Sequence, residues 1–101
     1  MKINDLLQQS DRKVLFSCEI FPPKKDTAFR SVFETVDAIT ELGADFISVT
    51  YGAAGSTSKK TVEVASYIQD THHIPALAHL TCCSSTREEI RQRLTEMKAR
   101  G

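Results

Sequence analysis

The chain has 101 residues, enough for one small domain with a modest core. Lys plus Arg number 13 and so do Asp plus Glu, so there is no electrostatic footprint for nucleic acid or anionic lipid. Hydrophobic residues make up 41%, which fits a folded globular chain rather than disorder, and no apolar run approaches the ~20 residues that span a bilayer. The polar opening from Met1 to Lys13 has no signal-peptide core, so a cytoplasmic protein is expected, with Cys18, Cys82 and Cys83 reduced.

Ile3, Leu6 and Leu7 suggest a short leading helix within residues 1–13. Val14 to Phe21 is rich in β-branched and aromatic residues and predicts a strand, ended by Pro22-Pro23 because proline cannot donate to a ladder. Phe29, Val32, Phe33, Val36 and Ile39 recur at helical spacing, with Asp26 or Thr27 as candidate cap and Gly43 as the stop. Asp45 to Tyr51 predicts the second strand, followed by a Gly/Ala/Ser/Thr loop from Gly52 to Ser58.

A second helix is predicted from about Ser58 to Asp70 on the spacing of Val62, Ala65 and Ile68. Ile74 to Thr81 predicts the third strand. Ser85 with Glu88 and Thr86 with Glu89 both match a capping box opening a third helix, with Ile90, Leu94 and Met97 on one face. Glu89 with Arg93 and Glu96 with Arg100 stand at i,i+4 and would support it.

A helix followed by three βα units makes this an α/β chain with parallel strands and right-handed crossovers. Helices from consecutive right-handed units lie on one side of the sheet, and parallel sheets are normally covered on both faces. The missing cover is best supplied by the rest of a closed barrel. Residues 1–101 therefore read as a single partial domain, the N-terminal part of a TIM-type (β/α)8 barrel.

Alternation along strands places Phe16, Cys18 and Ile20 under the helices, and Leu15, Ser17, Glu19 and Phe21 toward the barrel interior. Phe46, Ser48 and Thr50 face inward from the second strand, as do Leu77, His79 and Thr81 from the third, with Ala76, Ala78 and Leu80 under the helices. Glu19, Thr50 and His79 thus converge near the C-terminal ends of three neighbouring strands, where barrel enzymes carry their active sites. A carboxyl flanked by Phe16, Ile20 and Phe21 would be partly desolvated, which favours its protonated form and suits a general acid.

Each residue also has a plainer reading: Glu19 as a paired or edge carboxylate, Thr50 as a strand former, His79 as a hydrogen-bonded core histidine. The loop Gly52-Ala53-Ala54-Gly55-Ser56 resembles a phosphate cradle but matches neither GxGxxG nor a P-loop. His79-x-x-Cys82-Cys83 does not match paired zinc knuckles, so no metal is expected, and the cysteines read as small buried apolar residues.

The segment Phe16-Ser17-Cys18-Glu19-Ile20-Phe21-Pro22-Pro23-Lys24 resembles the "FEFFPP(K/R)" opening of methylenetetrahydrofolate reductases. Phe46 to Ala53 resembles their "F(V/I)SVTYGA" strand and loop, and Ala78-His79-Leu80-Thr81-Cys82 their "(P/A)HLTC" strand. The three motifs stand in the family's order at similar spacings, and the likeness runs from about Val14 to Gly101.

The resemblance implies a (β/α)8 barrel that binds FAD at the C-terminal ends of its strands. It also implies reduction of 5,10-methylenetetrahydrofolate to 5-methyltetrahydrofolate, with NADH or NADPH as the electron donor. Glu19 matches the glutamate that supplies the proton opening the folate's five-membered ring. Thr50 matches a residue near the flavin and nicotinamide, and Tyr51, Ala53 and His79 match FAD contacts. Cys18, Ile20 and the double Cys82-Cys83 depart from the commoner pattern.

Three of eight strands cannot enclose a flavin. The chain is therefore expected to be an inactive fragment of a longer enzyme, and on its own a homo-oligomer covering the inner sheet face. A stand-alone interaction module using that face is one alternative, and an unrelated barrel lyase or synthase with Glu19 as base is another.

Overall fold

A computed structural model describes residues 1–9, 11, 14–52 and 58–101, with Ser58 described for its backbone alone. Helix α1 spans Ile3–Gln9. Three βα units follow: strand β1, Ser17–Ile20, leads to α2, Phe29–Glu41; β2, Phe46–Val49, to α3, Ser58–His72; and β3, Ala76–Ala78, to α4, Arg87–Arg100. The sheet order is β1-β2-β3 and both pairings are parallel, as the alternation of elements requires. Glu19, Ser48 and Leu77 are register partners across the three strands, so they form one row on one face.

The opposite face carries the core. Ile20, Val36, Ile47, Val49, Val64 and Ile68 pack together there, with Phe29, Val32, Phe33, Ile74 and Ala76 against them. Ile47, Val49, Val36, Val64 and Ile68 are fully buried. At ~1.5–3 kcal/mol per buried aliphatic side chain, this layer is what holds α2 and α3 to the sheet. Helix α4 has no buried residue; Arg100 ties it to α3 by donating from Nη1 to Ser66 Oγ (2.9 Å) and accepting at its carbonyl from Gln69 Nε2 (3.2 Å).

Local signals act as expected at two helix ends. The Thr86–Glu89 capping box forms reciprocally, Glu89 N–H donating to Thr86 Oγ1 (3.2 Å) and Thr86 N–H to Glu89 Oε2 (2.7 Å). Gly43, at φ +86°, closes α2 with its N–H on Thr40 O (2.9 Å).

Other expectations are corrected. Neither Asp26 nor Thr27 caps α2; both lie in a 3₁₀ turn, Asp26–Ala28, that runs directly into the helix. Glu89 is committed to the capping box, and Arg93 pairs instead with Glu96 (2.7 Å).

Strands β1 and β3 are shorter than their apolar runs, and single backbone bonds carry the pairing beyond their ends. Below β1, Asp45 takes both polar groups of Phe16, its Oδ2 accepting from Phe16 N–H and its N–H donating to Phe16 O, each at 2.7 Å. That placement leaves Phe16 48% exposed rather than under the helices.

Candidate functional site

On the face away from the core, β1 carries Glu19 and β2 carries Ser48 beside it. Ser48 Oγ donates to Glu19 Oε2 at 3.0 Å. One residue beyond β3, His79 places Nε2 3.6 Å from the same Oε2. Backbone bonds set these positions: His79 N–H donates to Val49 O (3.0 Å) and extends the ladder past β3, while Thr50 N–H donates to Ile20 O (3.0 Å). Ser48, flanked by strands on both sides, is 8% exposed.

The Glu19 side chain is 53% exposed and that of His79 41%. The desolvation expected from Phe16, Ile20 and Phe21 does not surround the carboxylate, since Phe16 and Phe21 are both exposed and Ile20 is buried on the opposite face. Glu19 also borders a groove between β1 and α2, lined by Ile20, Phe21, Val32, Thr35 and Ile39. The constellation is not a nucleophilic triad. Ser48 gives its proton to a carboxylate instead of an imidazole, so no base of suitable strength activates its oxygen.

Two clamps shape the rim at this end of the sheet. Thr61 Oγ1 donates to Thr50 O (2.9 Å) and joins the end of β2 to the first turn of α3. Lys60 Nζ donates to Lys24 O (2.8 Å) and lies 3.5 Å from Asp26, which holds the loop after β1 against α3. Neither Lys60 nor Ser48 belongs to a motif that assigns it a role. Ser48 was findable, since parallel register sets it beside Glu19. Lys60 was not, because its partner is a backbone carbonyl 36 residues away.

Of the other expected site residues, Thr50 is half-buried at the end of β2. Tyr51 is buried at 7% exposure, and no hydrogen bond or ion pair among the described residues joins it to the Glu19 group. Ala53 and the rest of the expected phosphate cradle, 53–57, lie outside the described residues. Cys82 and Cys83 are exposed, which corrects their reading as buried apolar residues: they follow β3 outside any helix or strand.

The polar side chains near the C-terminal ends of the strands fit a polar ligand. His79 and Glu19 are open to that side, and Thr81 Oγ1 is buried with no hydrogen-bond partner among the described residues, an unmet polar group next in the row after His79. No helix among the described residues is long and apolar enough to cross a membrane.

The family model described as methylenetetrahydrofolate reductase matches residues 2–101. A probable methylenetetrahydrofolate reductase (NADH) of Oryza sativa subsp. japonica is 35% identical over 103 residues, covering 100% of this chain and 17% of that protein. Methylenetetrahydrofolate reductase 1 of Schizosaccharomyces pombe is 36% identical over 93 residues, 89% of this chain and 15% of its own length. The 5,10-methylenetetrahydrofolate reductase of Salmonella typhimurium is 32% identical over 89 residues, covering 88% of this chain and 30% of its own. The chain thus spans between about a seventh and a third of these relatives, and with the match running over nearly all of its residues it belongs to the methylenetetrahydrofolate reductase family.

Proposed function

We propose that these three βα units open the (β/α)8 barrel of a longer flavoenzyme that reduces 5,10-methylenetetrahydrofolate to 5-methyltetrahydrofolate. The observation that carries this reading is the Glu19 carboxylate, held from β2 and open to the inner side of the sheet in a chain of this family. NADH is the proposed donor, in keeping with the names of the rice and Arabidopsis thaliana relatives. FAD, when bound, supplies the hydride. Thr50, Tyr51, Ala53 and His79 are the residues of this chain that would hold it.

Glu19 acts as general acid. It gives its proton to the nitrogen that leaves when the folate's five-membered ring opens. The carbon–nitrogen bond breaks with its electron pair on that nitrogen, and the lone pair of the other nitrogen turns the one-carbon unit into an iminium able to accept hydride. The partial exposure of Glu19 and its single short hydrogen bond leave the carboxyl accessible to a substrate laid on the sheet.

In the longer enzyme, Glu19→Gln is expected to abolish folate reduction while sparing flavin reduction by the nicotinamide. Stopped-flow measurement of the two half-reactions decides it, and equal loss in both would refute the acid role.

A second reading concerns the segment by itself. Leu77 is exposed in the inner-face row and Phe21 is exposed just beyond β1, whereas Leu15 and Phe46, expected beside them, are half-buried. Without further strands this segment does not close around a flavin, and we propose that it self-associates through that face. Light scattering at micromolar concentration tests this, and a monomer would exclude it.

A further inference from the structure

We propose that Ser48 is a positioning residue for the acid Glu19, fixing which carboxyl oxygen carries the transferable proton; the inference rests on the reading of Glu19 given above. Ser48 Oγ donates to Oε2 at 3.0 Å, and the His79 imidazole approaches the same oxygen at 3.6 Å. Oε1 has no hydrogen-bond partner among the described residues.

A protonated carboxyl has one acceptor oxygen and one hydroxyl oxygen. With Oε2 already accepting from Ser48, the proton belongs on Oε1, the oxygen left free for substrate. Ser48 is well suited to this task. It lies in the middle strand as the register partner of Glu19, and the residue is only 8% exposed between strands on both sides, which restricts its hydroxyl. Without it the carboxyl can rotate about its terminal torsion, which is broad and two-fold, and present either oxygen.

The test is made in the longer enzyme with bound flavin. Ser48→Ala is expected to slow the folate half-reaction about ten-fold, the scale of one hydrogen bond to a charged group. Flavin content, flavin reduction by NADH and the equilibrium affinity for the folate should each stay within about two-fold. Ser48→Thr, which restores a hydroxyl at the same place and keeps strand propensity, should recover most of the rate.

An unchanged folate half-reaction in Ser48→Ala, beside a Glu19→Gln variant that has lost it, would overturn the role of Ser48 and leave that of Glu19 standing. Equal slowing of both half-reactions, or no recovery with threonine, would reduce Ser48 to a packing residue. A Glu19→Gln variant that keeps the folate half-reaction would overturn both.

Discussion

Among the described residues a carboxylate stands between a hydroxyl and an imidazole on each side of the sheet. On the inner face Glu19 meets Ser48 at 3.0 Å and His79 at 3.6 Å. On the outer side, between α2 and α3, Asp37 Oδ1 accepts from Tyr67 OH at 2.9 Å and meets His72 Nε2 at 2.7 Å. The difference lies in what surrounds the three groups. Tyr67 stacks on Phe33 at 4.1 Å and the His72 ring stands edge-on to Tyr67 at 5.7 Å, so the outer trio is a strut joining two helices, with the Asp37 side chain 46% exposed at its rim. The inner trio has one short bond, one long approach and a carboxyl more than half exposed. The same chemical types form a brace where both contacts to the carboxylate are short and a looser group where one of them is long.

Electrostatics follow the same division. The hydrogen bond from His72, and then that from Tyr67, hold the Asp37 carboxyl below its ordinary value of 3.8. The bond to Asp37 raises the Tyr67 hydroxyl above its ordinary 10.0. A lowered carboxylate stabilises the fold above its unfolded value and loses that contribution as pH falls through the folded one. A raised phenol stabilises below its unfolded value and loses it as pH rises through the folded one. The strut is therefore whole between these limits and weakens outside them.

The comparison can be broken from either side. The largest effect is expected at Glu19: its replacement by Gln should cost the folate half-reaction about 10²–10⁴-fold, the usual range for a general acid, with the urea midpoint hardly moved. A large fall in the midpoint would make Glu19 a brace like Asp37.

Ile47→Ala should come next. Ile47 is fully buried in the middle strand that carries Ser48, and emptying its site should cost about 2–5 kcal/mol in chemical denaturation, loosening both trios together. Loss confined to one trio would show that the two sides do not share this core.

Asp37→Ala should have a smaller effect. It should lower the thermal midpoint near neutral pH and leave the ratio of the two half-reactions unchanged. The stability gap to the unaltered protein should shrink below pH 3.8 and above pH 10.0, as the strut titrates away. A gap that stays constant across that range would mean the hydrogen bonds contribute nothing. Tyr67→Phe keeps the stack on Phe33 and removes one donor, so the smallest loss is expected there, with the acid arm of the pH profile retained through His72.

Much of this was legible in the amino-acid order. The alternation of apolar runs with helical spacings specifies three βα units, and Thr86 with Glu89, or Gly43 after α2, act through bonds that close within a few residues. Period-two alternation turned Glu19, Ser48 and His79 to one face for the same reason, since a strand's side-chain direction follows from its own backbone. The tertiary structure alone decided the rest. Phe16, Cys82 and Cys83 are exposed despite their apolar runs; Asp37 meets Tyr67 and His72 across 30 and 35 residues, and Lys60 finds the carbonyl of Lys24 across 36. Periodicity is a property of neighbours along the chain, and it carries no information on which distant carboxylate, carbonyl or ring the packing of helices on a sheet will bring within 3 Å.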